Sequence, residues 1–274
     1  MDVKIKGIFS NSKKGQITVF IILAILLVMT ILLLFMLYQN QLQGKTGNTK
    51  KNTQGIFEEC INNYVGDATE LIFENSGYTE LPSLVYSVTN VKGYYKQYEL
   101  KDIPYLCYTN SNYARCVPQA PLLINHLEKQ IKTYIEPKTE FCFEILSKDL
   151  KERAYDVRLG KTELLEVNLR DKGIETFIKK ELIQAKSGKE ERIEEFNAVY
   201  STHLYDIAKV AEKIVYEETT FCNSDYVEIM RGNTGIEIEK FQTGDDVKIY
   251  TVRNKLTKKE WEFAVRGCIL GTPS

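Results

Sequence analysis

Hydrophobic and polar positions divide this chain into three regimes. From Ile17 to Tyr38 the residues ITVFIILAILLVMTILLLFMLY give 22 positions without a charge, sixteen of them Leu, Ile, Val or Phe. A helix of that length measures roughly 33 Å against a hydrocarbon core of about 30 Å, and insertion is favoured by on the order of 5 to 10 kcal/mol. The pattern predicts a transmembrane helix. Gln39 to Gly55, QNQLQGKTGNTKKNTQG, holds one apolar residue and predicts a flexible linker. Beyond Ile56 apolar residues recur with the periods of helices and strands, which predicts a folded ectodomain.

Phe57, Cys60, Ile61, Tyr64, Ala68, Leu71 and Ile72 fall on one helical face, and Gly77 suits the helix end. Leu84 to Val91 reads as a strand. Pro121 opens a second helix with Leu123, Leu127, Ile131, Tyr134 and Ile135 as its stripe; Pro137 breaks or kinks it, and Phe141, Cys142, Ile145 and Leu146 continue the spacing. Tyr155, Val157 and Leu159 alternate, Gly160-Lys161 offers a turn, and Glu163 to Leu169 returns as the partner strand. Ile174, Phe177, Ile178 and Leu182 have helical spacing, yet the Ser187-Gly188 turn and the run to Tyr200 also permit a long hairpin. Leu204, Ile207, Ala211, Ile214 and Val215 make an amphipathic helix with Thr202 as cap. Tyr226 to Ile229, Ile236 to Ile238, Val247 to Val252 and Trp261 to Val265 read as strands. The expected fold class is α+β: an N-terminal transmembrane helix, then amphipathic helices and antiparallel strands. The expected divisions are a basic leader (1–15), the span (16–38), the linker (39–55), a helical and Tyr-rich part (56–151) and an α+β part (152–274).

Composition changes this picture little. The chain has 36 Lys and Arg against 37 Asp and Glu, a net charge of −1, which argues against nucleic acid as a partner. Lys4, Lys6, Lys13 and Lys14 before the span and Lys45, Lys50 and Lys51 after it favour a cytosolic N-terminus narrowly. The lipid bilayer is the one partner the pattern names.

Lys13-Lys14-Gly15-Gln16 followed at once by an apolar helix resembles the class III, type IV prepilin-like signal of archaea. That resemblance implies cleavage by a prepilin-type peptidase between Gly15 and Gln16, with the apolar helix left on the mature chain. Phe20 stands where many bacterial pilins carry a glutamate, and the linker interrupts the helix that a filament shaft would continue. The order of elements, from the Cys-containing helix ending near SGYTELP through HLYDIAKVAEKIV to WEFAVR, is similar to that of uncharacterised archaeal membrane-anchored proteins beginning with the same KGQ-plus-apolar signature. This second resemblance implies an α+β ectodomain in which Ile174 to Tyr200 is a hairpin; it brings no activity.

Candidate chemistry is sparse. His126 and His203 are the two histidines, each on a helical segment, and no HExxH, GxSxG, Walker-type loop or GxGxxG occurs, so no catalytic residue, metal or cofactor is expected. Glu58-Glu59, Glu217-Glu218 and Asp245-Asp246 read as solvated acids, and Lys179-Lys180 and Lys258-Lys259 as solvated faces. Tyr94, Tyr95, Tyr98, Tyr105, Tyr108 and Tyr113 offer a possible binding surface for a protein or surface glycan, against the alternative of aromatics stacked across strands. All six cysteines follow the span, as an oxidising location would produce, although fifteen pairings and reduced thiols are open to them. Three disulfides are the expectation: Cys107 and Cys116 flank a short turn, Cys60 and Cys142 lie on apolar helix faces that packing would bring together, and Cys222 with Cys268 completes the set. Three functions fit: a single-pass cell-surface protein with a structural or interaction role, a type IV pilin-like filament subunit, and a membrane-tethered hydrolase of unrecognised type. The first, with its C-terminal ectodomain extracytoplasmic and no enzymatic activity, is the expectation.

Overall fold

The computed structural model describes Leu23, residues 26–31, 53–81, 87–94, 97–243 and 246–269, with backbone alone through residue 101 in the two strands there. Two compact units divide at Asn52 and Thr53. In the first, Leu23 and residues 26–31 are helical with exposed side chains. Among the described residues no helix is long and apolar enough to cross a membrane. Most of the expected span, the Gly15–Gln16 cleavage site and most of the linker lie outside them.

The second unit is α+β. Its helices are α1 (Thr53–Glu74), α2 (Leu123–Glu152), α3 (Leu204–Phe221) and α4 (Tyr226–Gly232). Strands β1 (Ser87–Tyr94), β2 (Gln97–Tyr108), β3 (Val117–Pro118), β7 (Ile236–Gln242), β8 (Lys248–Asn254) and β9 (Glu260–Arg266) form a six-stranded sheet in the order β1-β2-β9-β8-β7, with β3 beside β2. Strands β4 (Asp156–Arg170), β5 (Gly173–Lys186) and β6 (Lys189–Tyr200) form a separate antiparallel sheet. One core joins helices and both sheets; at its centre the rings of Phe57, Phe143 and Phe196 lie 4.7 to 5.0 Å apart. The helical first part and the strand-rich second part therefore share one interior.

The helix periods hold where the stripe is long. Ile56, Phe57, Ile61, Val65, Ala68 and Ile72 of α1 are buried, and the Gly77 N–H, at φ 103°, bonds back to Ile72 O. Residues 53–55, expected in the linker, form the first turn of α1, because Thr53 is buried and its hydroxyl bonds Gln184 Oε1 at 3.2 Å. Pro137 does not break α2, which runs on to Glu152, and it lies on the exposed side, where a carbonyl left without an N–H donor is open to solvent.

Four further expectations are corrected. Gly160-Lys161 is a bulge inside a continuous β4, whose partner β5 follows after Asp171-Lys172; a Cβ on Gly160 would lie 3.0 Å from Glu181 Cβ. Tyr226 to Ile229 is helical, because Asp225 caps α4 by accepting the Glu228 N–H at 3.0 Å. The strands are not all antiparallel, since β2 runs parallel to β9. The Lys179-Lys180 run is split: Lys179 is exposed, whereas Lys180 is 2% exposed, its ammonium 2.6 Å from Glu140 and 4.9 Å from the Phe143 ring centre. The hairpin that the second resemblance implies for Ile174 to Tyr200 is present as β5 and β6, with Ser187 and Gly188 both at positive φ in the tight turn between them.

Candidate functional site

A cleft of about 390 Å³ opens where four segments of the C-terminal unit meet. Thr69, Glu70 and Phe73 of α1 form one wall, Asp171 and Lys172 of the β4–β5 turn a second, Tyr200 to His203 a third, and Thr257 with Lys259 of the β8–β9 turn the fourth. Glycines shape it. A Cβ on Gly66 would lie 3.2 Å from the Tyr200 ring, so Gly66 lets that ring lie against α1. At Gly173, φ 144°, a Cβ would come within 2.2 Å of Tyr200 O, so only glycine allows the turn to approach the third wall.

The lining offers aromatic carbon, hydroxyl groups and charges of both signs. Lys259 pairs with Glu70 across the rim. His203 Nδ1 stands 3.4 Å from Asp206 Oδ2, and Thr202 Oγ1 accepts the Leu204 N–H at 3.3 Å, which fixes the loop entering α3. A mixed, concave surface of this kind suits a polar ligand with an apolar face.

A second polar cluster is buried and fully paired. Glu218 is 2% exposed; it accepts from Lys248 Nζ at 2.6 Å and from the Tyr250 hydroxyl, while Lys248 also donates to Cys222 O at 2.6 Å. Burial and the Glu218 charge push the Tyr250 phenol well above its ordinary range. This cluster ties the C-terminal end of α3 to β8, so its role is structural. Glu217, its neighbour in sequence, accepts from the Ser224 hydroxyl and the Asp225 N–H, both at 2.9 Å. The Glu217-Glu218 pair therefore does not read as two solvated acids.

Of the six tyrosines expected to offer a surface, the described ones separate. Tyr105 is 6% exposed in a small cluster with Ile103, Val247, Ile249 and Ala264, and is withdrawn from any exposed face. Tyr108 is half-buried with its ring 5.0 Å from that of Tyr105, and Tyr113 is exposed at φ 63°. The side chains of Tyr94 and Tyr98, and Tyr95 altogether, lie outside the described residues. The six cysteines form three disulfides, Cys60–Cys142, Cys107–Cys116 and Cys222–Cys268. His126 donates from Nε2 to Gly77 O at 3.0 Å and meets the Tyr78 ring edge-on at 4.9 Å. Among the described residues no three His, Cys, Asp or Glu side chains converge as metal ligands.

The cleft was not legible in the sequence, because its walls come from four distant segments. Gly66 and Gly173 are the signals nearest to it. No protein-family model, curated protein or solved structure matches this chain.

Proposed function

We propose that the chain is a single-pass membrane-anchored protein of the cell surface, with its C-terminal unit on the extracytoplasmic side in a structural or interaction role. The three disulfides, all C-terminal to the apolar segment, carry this reading, because such bonds persist where the surroundings oxidise. The uncharged length of Ile17 to Tyr38 supports the anchor. The cleft between α1 and the three loops is the place where an extracytoplasmic ligand would bind. The Lys13-Lys14-Gly15-Gln16 signal favours filament assembly as a second reading, and filaments containing this chain, sheared from cells, would support it instead.

Orientation is the decisive property. Intact cells alkylated before lysis should yield unreduced peptides carrying all three linkages, and external protease should degrade the C-terminal unit without permeabilisation. Six alkylated thiols, together with full protection from protease until the membrane is opened, would place the unit in the cytosol and overturn the proposal.

A further inference from the structure

Away from its core-facing stripe, helix α2 exposes two large apolar side chains. Cys142, Leu146 and Leu150 turn inward, whereas Phe141 is 50% exposed and Ile145 38% exposed. An amphipathic helix on a domain surface needs one apolar stripe, the one it buries. Tyr134, half-buried at the edge of the core, stands seven residues before Phe141 and exposed Lys148 seven after, which places the three on one line along the helix at the spacing of a coiled-coil seam. Beside that line run exposed Pro137, half-buried Lys138 and exposed Glu144. Lys138 is held along it, its ammonium 3.2 Å from Tyr134 O and 3.3 Å from the Tyr134 ring centre.

This outer face is complementary to itself when reversed. With a two-fold axis at Phe141, residues equally far before and after that position meet across two antiparallel helices. Pro137 then faces Ile145 of the second copy, Lys138 faces Glu144, and the Tyr134 ring faces the Lys148 ammonium. The three meetings are apolar with apolar, cation with carboxylate, and aromatic face with cation, and the symmetry forms each of them twice. In-register parallel pairing would set Lys148 on Lys148 and Glu144 on Glu144. We propose that the outer face of α2 is a homodimer interface, packed antiparallel on the same face of a second copy with Phe141 on the two-fold axis.

A residue on a two-fold axis meets its own copy, which makes the proposal testable by cross-linking in the full chain in its membrane. The described cysteines are all paired, so Phe141→Cys introduces a thiol distinct from them. Mild oxidation should convert this variant to a disulfide-linked dimer on a non-reducing gel, while Val227→Cys, exposed on α4, should stay monomeric. Adding Lys138→Glu sets carboxylates against each other at both ends and should lower cross-linking by roughly five-fold or more. Adding Glu144→Lys as well restores opposite charges and should recover it. A Phe141→Cys variant no more dimeric than the Val227→Cys control, or cross-linking indifferent to Lys138→Glu, overturns the interface. Dimerisation through the membrane segment alone would give that first result, and neither outcome depends on which side of the membrane the unit occupies.

Discussion

At the scale of single residues, several side chains behave contrary to their type because of what they touch. Lys180 and Glu218 are charged and buried, and each has an opposite charge within 2.6 Å that offsets part of the lost hydration. His126 shows the reverse balance: burial holds its pKa below the usual imidazole value, against the bond to Gly77 O and with a smaller push from Lys129. The unfolded chain therefore takes up a proton near pH 6.5 that the native fold resists. Its contribution is complete above that pH and is lost as pH falls through the lower, folded value. His126→Gln keeps a donor for Gly77 O and removes the titration. Urea unfolding at pH 7.5 and pH 5 should show a shallower loss of stability on acidification in the variant, and equal losses in the two proteins would count against this account.

At the scale of elements, the disulfides decide which pieces stay together. Cys60–Cys142 joins α1 to α2 across 82 residues, Cys222–Cys268 joins the end of α3 to the chain beyond β9 across 46, and Cys107–Cys116 closes a separation of 9. Limiting the unfolded chain over those separations contributes about 4.5, 4.0 and 2.6 kcal/mol respectively in the loop-entropy account. Removing each pair by double substitution with alanine should destabilise the fold in that order, read from denaturant midpoints at constant slope. A Cys107/Cys116 variant less stable than the Cys60/Cys142 variant would show that local packing outweighs chain entropy. The same scale explains the misread α4, where an Asp cap and a Glu three residues later govern seven residues whose apolar content suggests a strand.

At the scale of the whole molecule, the proposed anchor and the C-terminal unit meet different demands, one on length and apolarity, the other on a closed core. If Lys13-Lys14-Gly15 is a prepilin-type signal, mature protein from the native membrane should begin at Gln16. Gly15→Val places a branched side chain at the scissile bond and should leave the precursor whole. N-terminal sequencing that finds Met1 on the wild-type protein would reject processing while leaving the anchor itself intact.

Local chemistry was enough for the long amphipathic helices, for the strands β7 to β9, and for placing Cys107 and Cys116 at the two ends of one short turn, since each depends on neighbours within a few turns or one loop. Sequence spacing left β5 open between helix and strand, because its core-facing positions run Ile174, Thr176, Ile178, Lys180, Leu182, Gln184, and the three polar ones mask the period of two. Gln184 can lie there only because Thr53 and Glu191 bond it, and Lys180 because Glu140 does. The parallel pairing of β2 with β9, the burial of Tyr105, the four-walled cleft and the outward turn of Phe141 and Ile145 were likewise decided by tertiary structure. A periodic pattern says that a helix or strand has an apolar face; which face becomes interior is set by partners up to a hundred or more residues away, and no local window contains them.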